Sequence, residues 1–102
     1  MSLAVRYPHV VKPDAAPAHL ERLPRVSVSM IVKDYLFYGW SIEEMCRQHP
    51  YLRPAEAHSA MAYYFDHKDE IDAEILADSR LVQSTQFKSS PFVIRMRALG
   101  KL

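Results

Sequence analysis

Cysteine is nearly absent from this sequence: Cys46 is the single one among 102 residues. That excludes an intrachain disulfide framework, and one free thiol fits a reducing compartment. Glycine is almost as scarce, with only Gly39 and Gly100, so there is no glycine-rich loop to cradle a phosphate. No apolar run approaches the roughly 18 residues of a membrane span, and Met1–Arg6 is too short and too mixed for a signal peptide. The expectation is a soluble cytoplasmic protein.

What is present is apolar side chain, 49% of the residues, enough for one domain with a modest core. The net charge of +1 conceals a pattern. Residues 1–33 carry five bases against two acids, and residues 34–65 two against four. Residues 66–78 carry Lys68 against six acids, and residues 79–102 carry five bases and no acid. This segregation predicts two kinds of surface, one drawing anions and one cations.

The periodicity predicts a mainly α fold: a three-helix helix-turn-helix domain over 27–77, a β-ribbon arm over 1–26 and a basic extension over 78–102. His9–Lys12 and Ala18–Arg22 read as short strands around the turn chemistry of Pro13-Asp14-Ala15-Ala16-Pro17. Such a ribbon is marginal alone and must pack on the helices or on another chain. Val28, Ile31, Val32, Tyr35 and Leu36 form the apolar stripe of a first helix, stopped by Gly39. Ser41-Ile42-Glu43-Glu44 is a capping box opening the second, which Pro50 ends. Pro54 opens the third, and Ala57, Met61, Tyr64, Phe65, Ile71 and Ile75 carry its stripe over about five turns. Beyond Phe65 that helix is acidic and expected to project from the core. Residues 78–90 read as extended. Residues 91–100 fit a capped helix, from Ser90-Pro91, or an alternating strand.

The succession from His19-Leu20-Glu21-Arg22-Leu23-Pro24-Arg25-Val26 through Gly39-Trp40-Ser41-Ile42-Glu43-Glu44, His49-Pro50-Tyr51-Leu52 and Ala60-Met61-Ala62-Tyr63 resembles the domain of unknown function 433 family over about residues 8–76. The resemblance implies a homeodomain-like fold and the role of a VapB-type antitoxin in a bacterial toxin–antitoxin pair. Such a protein would bind a PIN-like toxin and operator DNA. Two positions depart from the family pattern: Leu23-Pro24 replaces Gly-Thr, and Arg53 replaces the Thr or Ser that caps the third helix.

For DNA, the start of the third helix would read bases, with Arg53 as the strongest guanine reader. Arg53, Ala55, Glu56, Ser59, Ala62 and Tyr63 are the expected exposed positions, and Arg22, Arg25, Lys33 and Arg47 the phosphate contacts. For a basic toxin, Tyr63, Asp66, Asp69, Glu70 and Glu74 are the expected contacts. Tyr35, Trp40 and Tyr64 are assigned to packing, and Phe37 and Tyr38 to contact. A homodimer through the ribbon or the third helix is expected. Cys46, His49, His58 and His67 match no zinc-site spacing, and Cys46–His49 lacks an orienting acid. No metal, cofactor or catalytic centre is expected. The competing reading is a non-catalytic, oligomerising protein-interaction module that does not bind DNA.

Overall fold

The computed structural model describes residues 7–102; Met1–Arg6, read above as no signal peptide, lies outside them. Strands β1 (Val10–Val11) and β2 (His19–Leu20) pair antiparallel, Val10 opposite Leu20 and Val11 opposite His19. The Lys12 ammonium closes the intervening turn by donating to the carbonyls of Pro13 and Ala16, at 2.9 and 2.8 Å. The ribbon does not stand free. Ala18 and Leu20 are fully buried, β1 lies against the third helix, and the Val28 amide donates to Ala18 at 2.9 Å.

Helix α1 (Val28–Tyr38) is capped by Ser27, whose hydroxyl accepts from the Met30 amide. It ends at Gly39 with φ 69°, a left-handed position where a Cβ is strained. Helix α2 (Ile42–Gln48) is capped by Ser41, which accepts from the Glu44 amide at 3.1 Å. Only that half of the expected capping box forms, because the Glu44 carboxylate takes Arg47 and Gln48 on its own helix. Helix α3 (Pro54–Asp66) starts at its proline after Arg53. Helices α1 and α2 both pack on α3, as the short breaks between them allow.

Past Asp66 the structure departs from the expected projecting helix. His67 leaves helical geometry (φ −134°, ψ 45°), and a separate helix, α4 (Lys68–Ala77), folds back on α1. Ile71 and Ile75 are fully buried as a result. Burying two isoleucines gains about 1.5–3 kcal/mol each. The few backbone bonds lost at one break are worth about 1 kcal/mol each, so the return is favoured. Acids in the first turn of α4, Asp69 and Glu70, suit its positive end.

The last quarter is not extended either. Helices α5 (Ser79–Val82), α6 (Thr85–Lys88) and α7 (Pro91–Ala98) follow, the last two capped by Ser84 and Ser90. Phe87, Phe92, Val93 and Met96 enter the same core as Val28, Ile31, Val32 and Tyr64. Phe37 meets Phe87 and Phe92 with ring centroids 5.6 and 6.0 Å apart. This corrects the division of labour along α1. Phe37 packs and Tyr35 is exposed, because α1 is covered from the side of α6 and α7 as well as by α3 and α4.

A buried polar tie holds α7 to the rest. The Tyr64 hydroxyl donates to Asp72 at 3.0 Å, and the Arg95 guanidinium reaches Asp72 at 3.3 Å and the Tyr64 oxygen at 3.0 Å. Burial, then the Asp72 charge, pushes the Tyr64 phenol up to about 12, while Arg95 opposes them. No helix of the described residues is long and apolar enough to cross a membrane.

Candidate nucleic-acid and partner interfaces

The start of α3 is organised by an arginine clamp. Arg22, in the loop after β2, grips Glu56 with two parallel bonds, Nε to Oε2 at 2.9 Å and Nη2 to Oε1 at 2.8 Å. Its Nη2 also donates to the Tyr51 carbonyl at 2.6 Å. The Arg53 amide donates to the same carboxylate at 3.0 Å, so Glu56 caps a helix whose own cap residue has no accepting side chain. The Arg22 hydrogen bonds, then the Arg53 amide, hold the Glu56 carboxyl below its ordinary range against the opposing effect of burial.

The clamp corrects two expectations. Glu56 is 1% exposed, so its charge is withdrawn from the surface that α3 presents. Arg22 is committed to Glu56 and Tyr51 rather than left for phosphate. The surface at this end of α3 then consists of Arg53, Ala55 and His58, with Ser59 half-buried beside them. Arg25 and Arg53 are exposed, and among the described residues neither makes an ion pair. Lys33 is half-buried with its ammonium 3.6 Å from Asp34, and Arg47 is bound to Glu44. His58, a zinc candidate by residue type alone, faces solvent at this end of α3. Its place three residues after Ala55 on an outward face was the signal available.

At the other end of α3 the acids gather, with one correction. Tyr63 is 4% exposed. Its ring stacks on His67 at 4.2 Å, meets Tyr7 edge-on at 5.2 Å, and its hydroxyl donates to Glu70 at 2.7 Å. It cannot offer a ring to a partner because the ribbon arm and α4 cover it. Burial, then Glu70, pushes its phenol well above the ordinary range. Asp66 accepts from the Tyr7 hydroxyl at 2.6 Å, and exposed Asp69 sits 3.5 Å from Lys101. Glu70 and Glu74 line one wall of a shallow groove of about 450 Å³, facing Lys12, Asp14 and Pro17 of the hairpin turn. One Glu74 oxygen is buried and has no hydrogen-bond partner among the described residues. Burial, then the Glu70 charge, holds that carboxyl above its ordinary range.

The charge segregation along the chain is partly an internal matching. Asp72 takes Arg95, Asp69 takes Lys101 and Asp78 takes Arg80. Only the first pair has a buried member, Asp72, with Arg95 partly exposed; the other two are exposed and hold little. Lys88 and Arg97 remain exposed without an ion pair among the described residues. Of the residues weighed for zinc, Cys46 is half-buried, with its thiol pushed up by burial, and His49 bonds Asp34 at 3.0 Å. No three His, Cys, Asp or Glu residues converge among the described residues.

A family described as "Protein of unknown function (DUF433)" matches residues 22–64. The matched stretch begins at the clamp arginine, spans α1 and α2, and reaches Tyr64 in α3, so the similarity supports that family across the helical unit. It leaves out the paired strands and everything from α4 onward. No curated protein matches the chain, and no solved structure does.

Proposed function

We propose that this protein is the antitoxin of a bacterial type II toxin–antitoxin pair, a cytoplasmic, non-catalytic module. It holds a basic, PIN-like toxin on its acidic end and operator DNA on the start of α3, in a homeodomain-like manner. One observation carries the reading: the polarity of α3. Arg53 stands at its N-cap and Asp66 at its last residue, roughly 20 Å apart at about 1.5 Å per residue. The Arg22 clamp neutralises Glu56, the one acid in the first turn of α3, which would otherwise repel phosphate there.

Arg53, Arg25 and the outward face carrying His58 and Ser59 would meet the duplex, with base contacts from the first turn of α3. Asp66, Asp69, Glu70 and Glu74 would meet the toxin, where opposite charge speeds encounter and selects the partner. Affinity capture of the tagged full chain from its host lysate, with and without nuclease, tests both arms. A small basic protein retained in both samples, together with DNA in the untreated one, is expected. Arg25→Ala with Arg53→Ala should remove the DNA alone, and Asp66→Lys with Asp69→Lys the protein alone. Recovery of neither from the unaltered chain overturns the reading.

A further inference from the structure

A connected row of rings begins beside the cations at the start of α3 and has no part in either proposed interface. Tyr51, in the turn between α2 and α3, meets His49 with ring centroids 5.6 Å apart, and His49 meets Trp40 at 6.2 Å. Trp40 in turn stacks on Tyr38, the last residue of α1, at 4.6 Å and 20° between planes. The two end rings, Tyr38 and Tyr51, are 45% and 47% exposed. The Tyr51 end opens on a slot of about 40 Å³ that Val26, Met30, Lys33, His49 and Leu52 also line. Arg25 and Arg53 directly adjoin Val26 and Leu52 along the chain, and both are exposed.

We propose that this row is a stacking platform for single-stranded nucleic acid, its phosphates held at the Tyr51 end by Lys33, Arg25 and Arg53. The platform rests on the nucleic-acid arm of the proposed function and changes what that arm holds. A duplex keeps the faces of its bases inside the helix and shows only their edges and its backbone. Exposed rings in a row find nothing there to stack on. A single strand presents those faces, and each base laid on an aromatic side chain adds affinity with little regard to sequence.

Charge selects the strand over an uncharged occupant. A proline-rich peptide also lies on rings, but it leaves Arg25 and Arg53 unmatched, whereas a polyanion matches them. Most acids of these elements are withdrawn. Asp34 is 3% exposed and faces His49 at 3.0 Å and Lys33 at 3.6 Å. Glu56 is held by Arg22, and Glu44 takes Arg47 and Gln48. Glu43 stays exposed in the first turn of α2, at the Trp40 end of the row. The strand is therefore anchored by phosphate near Tyr51 and continues toward Trp40 and Tyr38 by stacking alone.

Fluorescence anisotropy of the full chain tests this with a labelled DNA strand of about 12 nucleotides, the RNA strand of the same sequence, and the DNA duplex. The emission of Trp40, the sole tryptophan, is a second readout. Both strands should bind more tightly than the duplex, since stacking is indifferent to the sugar, and both should quench Trp40. Tyr51→Ala and Tyr38→Ala should each weaken the strands by roughly five- to a hundredfold and leave the duplex unchanged. Both rings are nearly half-exposed, and Arg22 holds Tyr51 by its backbone carbonyl, so both variants should melt with the unaltered chain. Arg53→Ala should weaken strand and duplex alike. A duplex bound as tightly as the strands overturns the platform and leaves the DNA arm standing. Strand binding that neither tyrosine variant changes does the same. Binding of neither strand nor duplex overturns both.

Discussion

The helical unit α1–α3 and the layer α4–α7 are built by different means. In α1–α3 each boundary is set by a residue within a turn of it: Ser27, Gly39, Ser41 and Pro54. In α4–α7 the elements are short, and their place is set by what they touch. Ile71 and Ile75 return to α1, while Phe87 and Phe92 close on Phe37. Local signals thus define the first region, and burial defines the second. The lesson is that the stretch matching the family does not make a complete core by itself. Inside it, Phe37 meets the rings of Phe87 and Phe92, and the Tyr64 hydroxyl its hydrogen-bond partners Asp72 and Arg95, in the layer beyond.

The sharpest way to break the comparison is Phe92→Ala, which should cost about 3–5 kcal/mol. Calorimetry should show one transition moving down as a whole, because both regions share one core. Two separate transitions would show the layer to be an independent unit. Asp72→Ala comes next. It strands the Tyr64 hydroxyl and Arg95, and with Arg95 partly solvated the loss should be about 1–3 kcal/mol in urea unfolding.

The same tie gives a pH signature. Tyr64 in the folded state titrates at about 12, against about 10 when unfolded. The folded state therefore keeps a proton that the unfolded chain loses, so this stability is present below pH ~10 and falls as pH rises toward about 12. Stability measured across that interval should fall less steeply in Tyr64→Phe than in the unaltered chain.

Within the locally specified region, Ser41→Ala should cost about 1 kcal/mol. The chemical shifts of α1 and α3 should hardly move. The smallest change expected is a gain. Glu74 has a raised folded pKa, so its ionisation costs stability at neutral pH, and Glu74→Gln should raise the melting temperature by about 2–4 °C, roughly 0.5 kcal/mol. A drop there would mean that the buried oxygen has a role in holding α4.

How far the fold could be read from the chain follows the same division. Ser41 and Gly39 act on amides and backbone angles a few residues away, so the limits of α1 and α2 were legible. The break at His67 was not. It carries neither proline nor glycine, and Ile71 and Ile75 continue the stripe of Met61 and Tyr64 in phase, so one long helix and two folded ones share a pattern. Ser90-Pro91 announced α7, yet its alternating Val93–Arg97 stretch fitted a strand equally well. At the candidate interface, Arg53 and Arg25 were readable as exposed cations. The burial of Glu56 and Tyr63 was not, because Arg22 lies 34 residues from Glu56 and Tyr7 lies 56 from Tyr63.

By itself, then, the sequence determined the helical class of residues 28–66, their turns and caps, and the excess of free cations near the start of α3. Those depend on interactions within a few residues, which any conformation of the neighbourhood expresses. Only the tertiary structure decided which charges are spent and which remain: Glu56 on Arg22, Asp72 on Arg95, Glu70 on Tyr63. It also decided which aromatics fill the core and which stay exposed. Desolvation and pairing act between side chains far apart along the chain, and their outcome exists only once the chain has folded.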